Sequence, residues 1–527
     1  MNALTGTGRL IRLARRRDRF VLTLWVLGLT VFLTGTTHMS VTGLPSQQDV
    51  VTETTFMAAN PGMRIMSLSA GASVGAYAMS RTYLTLAILA AVMSVLAVVR
   101  HTRQSEERGR DEFLRAGVVV TLAANVALVP LLGLAMIVNG QPPASSFAAG
   151  ASVALVGVAF TGVAAVTSQL SSTARGANGL AMAVLGVSFL LSGVGNMLGH
   201  VDTRGLVAYS AWPTWLSPIG WGFQMRPFGG DRWWILVIPV VLAVVLVAAA
   251  GWYGSRRDLG RGVFPVQRGP AEASRGLLGP VGLTWRLQRS AFLAWLVASL
   301  GFGLVFGSVM GSGATAQGSM REWYQKMAAT QDMVHALTTS FMEMAGMMAA
   351  IYVVQVLLRM REEEVRGRLE PLLAAAVTRA RWVASYLVTT ALGALALLLA
   401  FAVGMALTGG LALGDTFGLY GDMISAALAQ LPAVLAIGGA VVTVFALLPQ
   451  RAVVVSWLLV GASILLSPVF GLSLGLPDWA MHLSPFEYQK PPAQAIDALA
   501  IVVLAGIALA LCAAGLTSFR RRDIVPG

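Results

Sequence analysis

The sequence predicts an all-α integral membrane protein of about twelve transmembrane helices, arranged as two parallel six-helix repeats. Three observations predict it. The chain of 527 residues is 56% hydrophobic and only 12% charged, with mean hydropathy +0.72, whereas a soluble domain carries about a quarter charged residues. Twelve apolar runs reach the length of about 20 residues that a bilayer demands. Two dense charged islands, one in each half, share a single plan.

Taken in order, residues 5–20 interleave Leu10, Ile11 and Leu13 with Arg9, Arg12 and Arg15 to Arg17. That pattern suits a short helix lying on the inner membrane surface, its arginines near anionic headgroups. A signal peptide would begin similarly, but the apolar run after Phe20 reaches about Gly35 and no Ala-x-Ala-like cleavage site follows. Spans are expected near 20–38, 80–99, 116–138, 147–168, 179–199 and 233–253 in the first half. In the second half they fall near 291–310, 338–358, 383–407, 420–447, 453–473 and 497–518.

Basic residues orient these spans. With the N-terminus inside, the inner segments hold 29 of the 37 Lys and Arg and the outer segments eight. Cytoplasmic loops carry such an excess, which places both termini in the cytoplasm of a multi-pass protein in the cell membrane. The formal charge of +13 therefore reports topology and contact with the lipid bilayer, and no nucleic-acid partner is expected.

The halves repeat. Arg16, Arg19 and Trp25 correspond to Arg286, Arg289 and Trp295; Leu216-Ser217-Pro218 to Leu483-Ser484-Pro485; and Arg256-Arg257-Asp258 to Arg521-Arg522-Asp523. An even number of spans per half makes the repeats parallel. The first half covers 1–253, a Gly-, Pro- and Arg-rich inner linker 254–285, and the second half 286–527. Long outer segments follow the first span of each half (39–79 and 311–337) and precede the last (200–232 and 474–496). Trp212, Trp215, Trp221, Trp233 and Trp234 cluster in or beside the segment 200–232. Tryptophan prefers the membrane interface, so this segment is read as dipping into the outer leaflet and returning, either as an outer gate or as an aromatic anchor belt.

The charged islands are 101–112 and 359–370. At an offset of 258 positions Arg103 falls on Arg361, Glu106 on Glu364, Gly109 on Gly367, Arg110 on Arg368 and Glu112 on Glu370, with Glu107 and Glu363 adding further acids. A Glu four residues before an Arg supports a helix, so Glu106 with Arg110 and Glu364 with Arg368 predict a short rigid element. The Gly before each Arg permits a bend. The copies differ at Gln104 and Ser105, where the second has Glu362 and Glu363.

Several chemistries are excluded or unsupported. The chain has two lysines, Lys326 and Lys490, and neither lies in the Gly-x-x-x-x-Gly-Lys-Ser/Thr context of a P-loop. It therefore carries no P-loop ATPase site of its own. The single Cys512 excludes an intramolecular disulfide. The five histidines show no metal-ligand spacing, so neither a metal nor a cofactor is expected, and no catalytic constellation stands out. Ionisable residues within spans are few: Glu343, with Asp422 and Asp497 at span ends. Glu343 sits beside Phe341 among Met342, Met344, Met347 and Met348, an adaptable apolar surface that would suit varied drug-like molecules or plain helix packing.

Each half thus has an amphipathic leading helix, a long first outer loop, an Arg-x-x-(Glu)-Glu-x-x-Gly-Arg-x-Glu island after span two, a Leu-Ser-Pro segment before span six and an Arg-Arg-Asp ending. This pattern resembles the fused, double-length ABC-2-type permeases of actinobacteria, the polyketide-antibiotic and multidrug exporters. The likeness covers essentially the whole chain. It implies a type V ABC exporter fold whose islands Arg103, Glu106, Glu107, Gly109, Arg110, Glu112, Arg361, Glu363, Glu364, Gly367, Arg368 and Glu370 seat on a homodimer of a separate ABC ATPase subunit, which binds ATP and Mg. It also implies that spans two and five line the path of an amphipathic small-molecule substrate. By position, Tyr83, Met93, Phe189, Asn196, Phe341, Glu343, Tyr352, Gln355 and Trp457 become pathway residues. A proton-coupled facilitator of the major superfamily is the alternative. The long first outer loops, the helix before each half and the scarcity of buried acids count against it.

Overall fold

The structure is a computed structural model that describes residues 7–107, 114–256, 262, 272, 274–277, 279–313, 321, 325, 330–375, 377–414, 418–473, 476–488 and 498–524. Hydrocarbon offers no water to backbone N–H and C=O groups, so a spanning chain closes its hydrogen bonds inside helices. Among the described residues, eleven helices are long and apolar enough to cross a membrane. Strand among the described residues is confined to one antiparallel pair, His200–Val201 with Ala208–Tyr209.

The chain divides into two compact units, Met1–Gly269 and Pro270–Gly527. In the first, the long helices are Thr7–Gly43, Val74–His101, Leu114–Ile137, Pro143–Leu170, Ala174–Met197 and Val237–Gly254. In the second they are Pro280–Gly313, Met333–Leu357, Arg379–Leu413, Gly418–Leu447 and Ala498–Arg521, with the shorter Ala452–Leu465 in fifth place. Each unit is packed by one plan: the first helix lies on the third, the second on the fourth, and the fourth on the sixth. The second helix is a buried one in both units, while the first and last expose apolar side chains such as Leu24, Val244, Val297 and Leu509.

Three expectations change. The surface helix at 5–20 and the span after it form one unbroken helix, Thr7–Gly43. Arg19-Phe20-Val21 offers no breaker at the expected junction, and at 1.5 Å per residue the helix overruns the membrane rather than turning to lie on it. The first helix of the second unit begins at Pro280, inside the stretch assigned to the linker. The span expected at 453–473 is interrupted: Ala452–Leu465 ends, and Pro468–Ser473 starts anew. Pro468 lacks the N–H that would continue the ladder.

Small residues set the closest approach. Gly303, Gly307 and Gly311 recur every four residues on the helix Pro280–Gly313 and face the third helix of that unit. A Cβ on Gly303 would stand 2.2 Å from the carbonyl oxygen of Phe401, and one on Gly307 2.3 Å from that of Met405. Thr408 donates to the Leu304 carbonyl at 2.7 Å across the same seam. In lipid such backbone proximity, rather than water expulsion, holds helices together.

The segment before the last span is pinned alike in both units. Ser217 donates from its hydroxyl to the Ser188 carbonyl at 2.6 Å, and Ser484 to the Ser463 carbonyl at 2.8 Å. In the first unit Ser217 also caps the helix Pro218–Met225, all eight residues of which are buried against spans two, four and five. Trp221 donates to the Trp215 carbonyl, and Trp215 stacks on Trp234. Beside them Arg226 donates to the Ala208 carbonyl and lies over the Tyr209 ring. Burial pulls its guanidinium below the ordinary value, opposed by the hydrogen bond with Tyr209.

Gly307→Ala is expected to destabilise the protein by about 1–3 kcal/mol, because the obstacle is backbone. Gly301→Ala in the same helix, where nothing lies within 4 Å, should leave the detergent melting temperature unchanged or slightly raised. Equal melting of the two variants would contradict the glycine seam.

Candidate functional site

Both charged islands continue directly from the second span of their unit. Val74–His101 gives way at Thr102 to the one-turn helix Arg103–Glu107, and Met333–Leu357 gives way at Leu358 to Arg359–Val365. A displacement of either island is thus a displacement of the end of a spanning helix.

In the first unit the island is knit to three other spans. Asp18 of the first helix is buried and pairs with Arg100 at 3.1 Å and with His101. Thr102 donates to the Ser168 hydroxyl at 2.9 Å, and Arg103 donates through Nε to the Ser168 carbonyl at 2.9 Å, both on the fourth span. Arg103 also pairs with Glu106 at 2.9 Å and is itself buried. Glu107 is exposed and accepts the Ala174 N–H at 2.8 Å at the start of the fifth span, where a carboxylate is favoured by the helix dipole. Gly109, Arg110 and Glu112, and with them the expected Glu106–Arg110 pair, lie outside the described residues.

In the second unit Glu364 has no solvent exposure of its side chain. Arg361 reaches it at 3.0 Å, and Arg522 of the last helix's terminus holds both its oxygens, at 2.7 and 2.9 Å. The expected pair of Glu364 with Arg368 is therefore replaced. Gly367 adopts φ +67°, the left-handed conformation that glycine enters without strain. Its N–H bonds to the Glu364 carbonyl and that of Arg368 to the Glu363 carbonyl, a helix-terminating pattern. Arg368 consequently leaves the helix and pairs with Glu363 at 2.8 Å, while the i,i+4 pair is Glu362 with Arg366 at 2.7 Å. A side chain at Gly367 would meet nothing within 4 Å, so the glycine serves conformation here. Glu370 is exposed beyond the turn and lines a cleft of about 550 Å³ with Leu373, Val377, Thr378, Arg379 and Ile524.

The residues placed on the pathway are mostly interior to their own unit. Tyr83 is buried, donates to the Ile219 carbonyl at 2.6 Å and meets Phe223 edge-on. Met93 and Asn196 are buried, and Asn196 accepts from Thr214 at 3.4 Å. Tyr352 is buried against Gly393, and Phe341 stacks on Phe306 with centroids 4.7 Å apart. Glu343 is buried and accepts the Val469 N–H at the restart of the broken fifth span, 3.4 Å away. Phe189 is half-buried. Gln355 and Trp457 are exposed, and Gln355 accepts from the Trp295 indole at 2.8 Å.

Two groups escaped the sequence reading. Asp18 is the only acid among six arginines ahead of Phe20, and that isolation was its signal. Arg522 belongs to the repeated Arg-Arg-Asp ending, which marks position without naming a role. Buried carboxylates are also more numerous than the sequence suggested: Asp18, Glu343, Glu363 and Glu364. Their scarcity therefore no longer counts against a proton-coupled mechanism.

Comparison with known proteins places the chain. Residues 277–520 match the family model for the C-terminal domain of the multidrug efflux system permease Rv1217c. The chain is 34% identical to the multidrug efflux system permease protein Rv1217c of Mycobacterium tuberculosis over 544 residues, spanning 99% of this chain and 96% of that relative. With that identity along nearly its whole length, the chain belongs to the family of this multidrug efflux permease, with both halves fused in one polypeptide.

Proposed function

We propose that the chain is the membrane-spanning permease subunit of an ATP-driven exporter that moves amphipathic, drug-like or antibiotic molecules out of the cytoplasm or inner leaflet of the cell membrane. A separate ABC ATPase, acting as a homodimer, binds ATP and Mg and seats beneath the two islands, with both termini of the permease cytoplasmic. The observation that carries this reading is the pair of islands. Each is a rigid, charge-bonded extension of the second span of its unit, in a family whose named relative is a multidrug efflux permease.

The structure supports a division of labour within each island. Glu363 and Glu364 are buried, whereas Glu107, Arg366, Arg368 and Glu370 are exposed. The exposed residues meet the ATPase, and the buried ones make the element stiff. Closure of the ATPase dimer on ATP moves both islands, the second spans follow, and hydrolysis resets them. A switch from 1:99 to 99:1 requires nucleotide to favour one state by about 5.5 kcal/mol, and a loosely tethered contact could not deliver that.

Purification with and without the product of a neighbouring ATPase gene tests the reading. Drug-stimulated ATP hydrolysis is expected only from the pair. Transport driven by a proton gradient alone, with no ATPase retained, would establish the facilitator alternative. Within the second island, Arg366→Ala with Glu370→Ala should weaken ATPase retention and efflux at least fivefold while leaving thermal stability within about 0.5 kcal/mol, as exposed positions usually do. Glu364→Ala should instead cost about 3 kcal/mol by orphaning the two partly buried guanidinium groups it holds, read as a lowered melting temperature. Orientation is checked with thiol labels on a Cys512→Ala background. An impermeant maleimide added to whole cells should reach Trp212→Cys, and should reach Arg366→Cys only after permeabilisation; the reverse pattern would invert the topology.

A further inference from the structure

The terminal Arg-Arg-Asp motif has no part in the account so far, although it recurs at the end of both halves. In the second unit it reaches the heart of the island. The guanidinium of Arg522 grips both oxygens of Glu364, at 2.7 and 2.9 Å. It also lies over two aromatic rings, Phe445 at 5.0 Å and Phe519 at 5.1 Å from the centroids. Phe445 closes the fourth span and Phe519 the last. Trp382, at the start of the third span, packs on both rings. Arg379 donates to the carbonyls of Phe519, Arg520 and Arg522, satisfying the open end of the last helix. Four spans therefore meet at one ion pair.

We propose that Arg522 is a positioning residue of the second island. It locks the helix Arg359–Val365 to the ends of the fourth and sixth spans, so that a push on this helix reaches those spans as well as the second. The inference rests on the ATP-driven reading above. A fork-to-fork Arg–carboxylate bond fixes direction as well as distance, and the guanidinium is held over both rings, which opposes its following Glu364 by swinging on a flexible stem. Movement of Glu364 must carry the end of the last helix with it. In the first unit the corresponding Arg257 lies outside the described residues, and the proposal is confined to the second.

The full chain with its ATPase in proteoliposomes provides the test, read as ethidium efflux per ATP hydrolysed. The double variant Glu364→Gln/Arg522→Met removes both charges of the fork, and the glutamine carbonyl oxygen stays in place as an acceptor for Arg361, an exchange that folded proteins tolerate. It is expected to melt near the wild type, to retain the ATPase and to hydrolyse ATP within twofold, yet to move at least tenfold less ethidium per ATP. Arg522→Lys, which keeps the charge without the fork, should fall between the two. Efflux per ATP within twofold of wild type in the double variant would overturn the clamp, and so would Arg522→Lys behaving no better than the double variant. A wild-type protein without ATP-driven efflux would instead overturn the exporter reading itself, so the two failures are separable.

Discussion

A carboxylate removed from water must be paired, and that constraint organises the Arg-rich end of each unit. Asp18 and Glu364 each sit against a guanidinium supplied from another helix or its end. An isolated charge there would cost several kcal/mol, so the spans that supply the arginines cannot part from the spans that supply the acids without a large penalty. The pairs are thus joints between helices. They convert a bundle held by van der Waals packing, such as the glycine seam at Gly303 and Gly307, into one whose ends move together. Helix packing in lipid tolerates small slides; a bidentate ion pair does not.

This view separates two tasks that a charged loop at a membrane surface could perform. Exposed charges can meet a partner but are worth little individually, since water screens them. Buried charges hold shape and are hidden from any partner. In the second island the division runs within a few residues: Glu363 and Glu364 face inward, while Arg366, Arg368 and Glu370 face out. Gly367 is the turning point. Its left-handed conformation ends the helix after about two turns, and re-aims the chain toward the helix Leu369–Ala374.

Much of this was legible in the sequence, for identifiable reasons. Span lengths follow from hydropathy because the bilayer imposes one thickness, and the repeat followed from motifs in register. The ion-pair partners were not legible. The i,i+4 rule matched Glu364 with Arg368 because it assumes an unbroken helix, and the glycine between them ended it. Arg522 lies 158 positions from Glu364, and no local spacing rule reaches that far. The broken fifth span was signalled by Pro468 but submerged in an apolar run that hydropathy alone reads as continuous. Tyr83 and Tyr352 were placed on the pathway by position, because the resemblance implies that spans two and five line it. In the structure the Tyr83 hydroxyl bonds across to Ile219 and Tyr352 packs against Gly393, contacts that no local spacing rule announces.

The two halves have kept one plan and changed its chemistry at one point. The offset that pairs Arg16 with Arg286 pairs Asp18 with Gln288, and the offset of the islands pairs His101 with Arg359. In the first unit the first helix is tied to the second by an acid with a histidine and an arginine. In the second unit the acid is gone, and Arg359 donates to the Leu287 carbonyl instead. A neutral acceptor holds an arginine less firmly than a carboxylate does. What the second unit lacks at its first helix it has at its last, where Arg522 takes Glu364. Among the described residues, the stiff joint lies between the first and second helices in the first unit and between the second and sixth in the second. Equal pushes on the two islands would accordingly be shared among different helices, and the duplicated halves need not move alike.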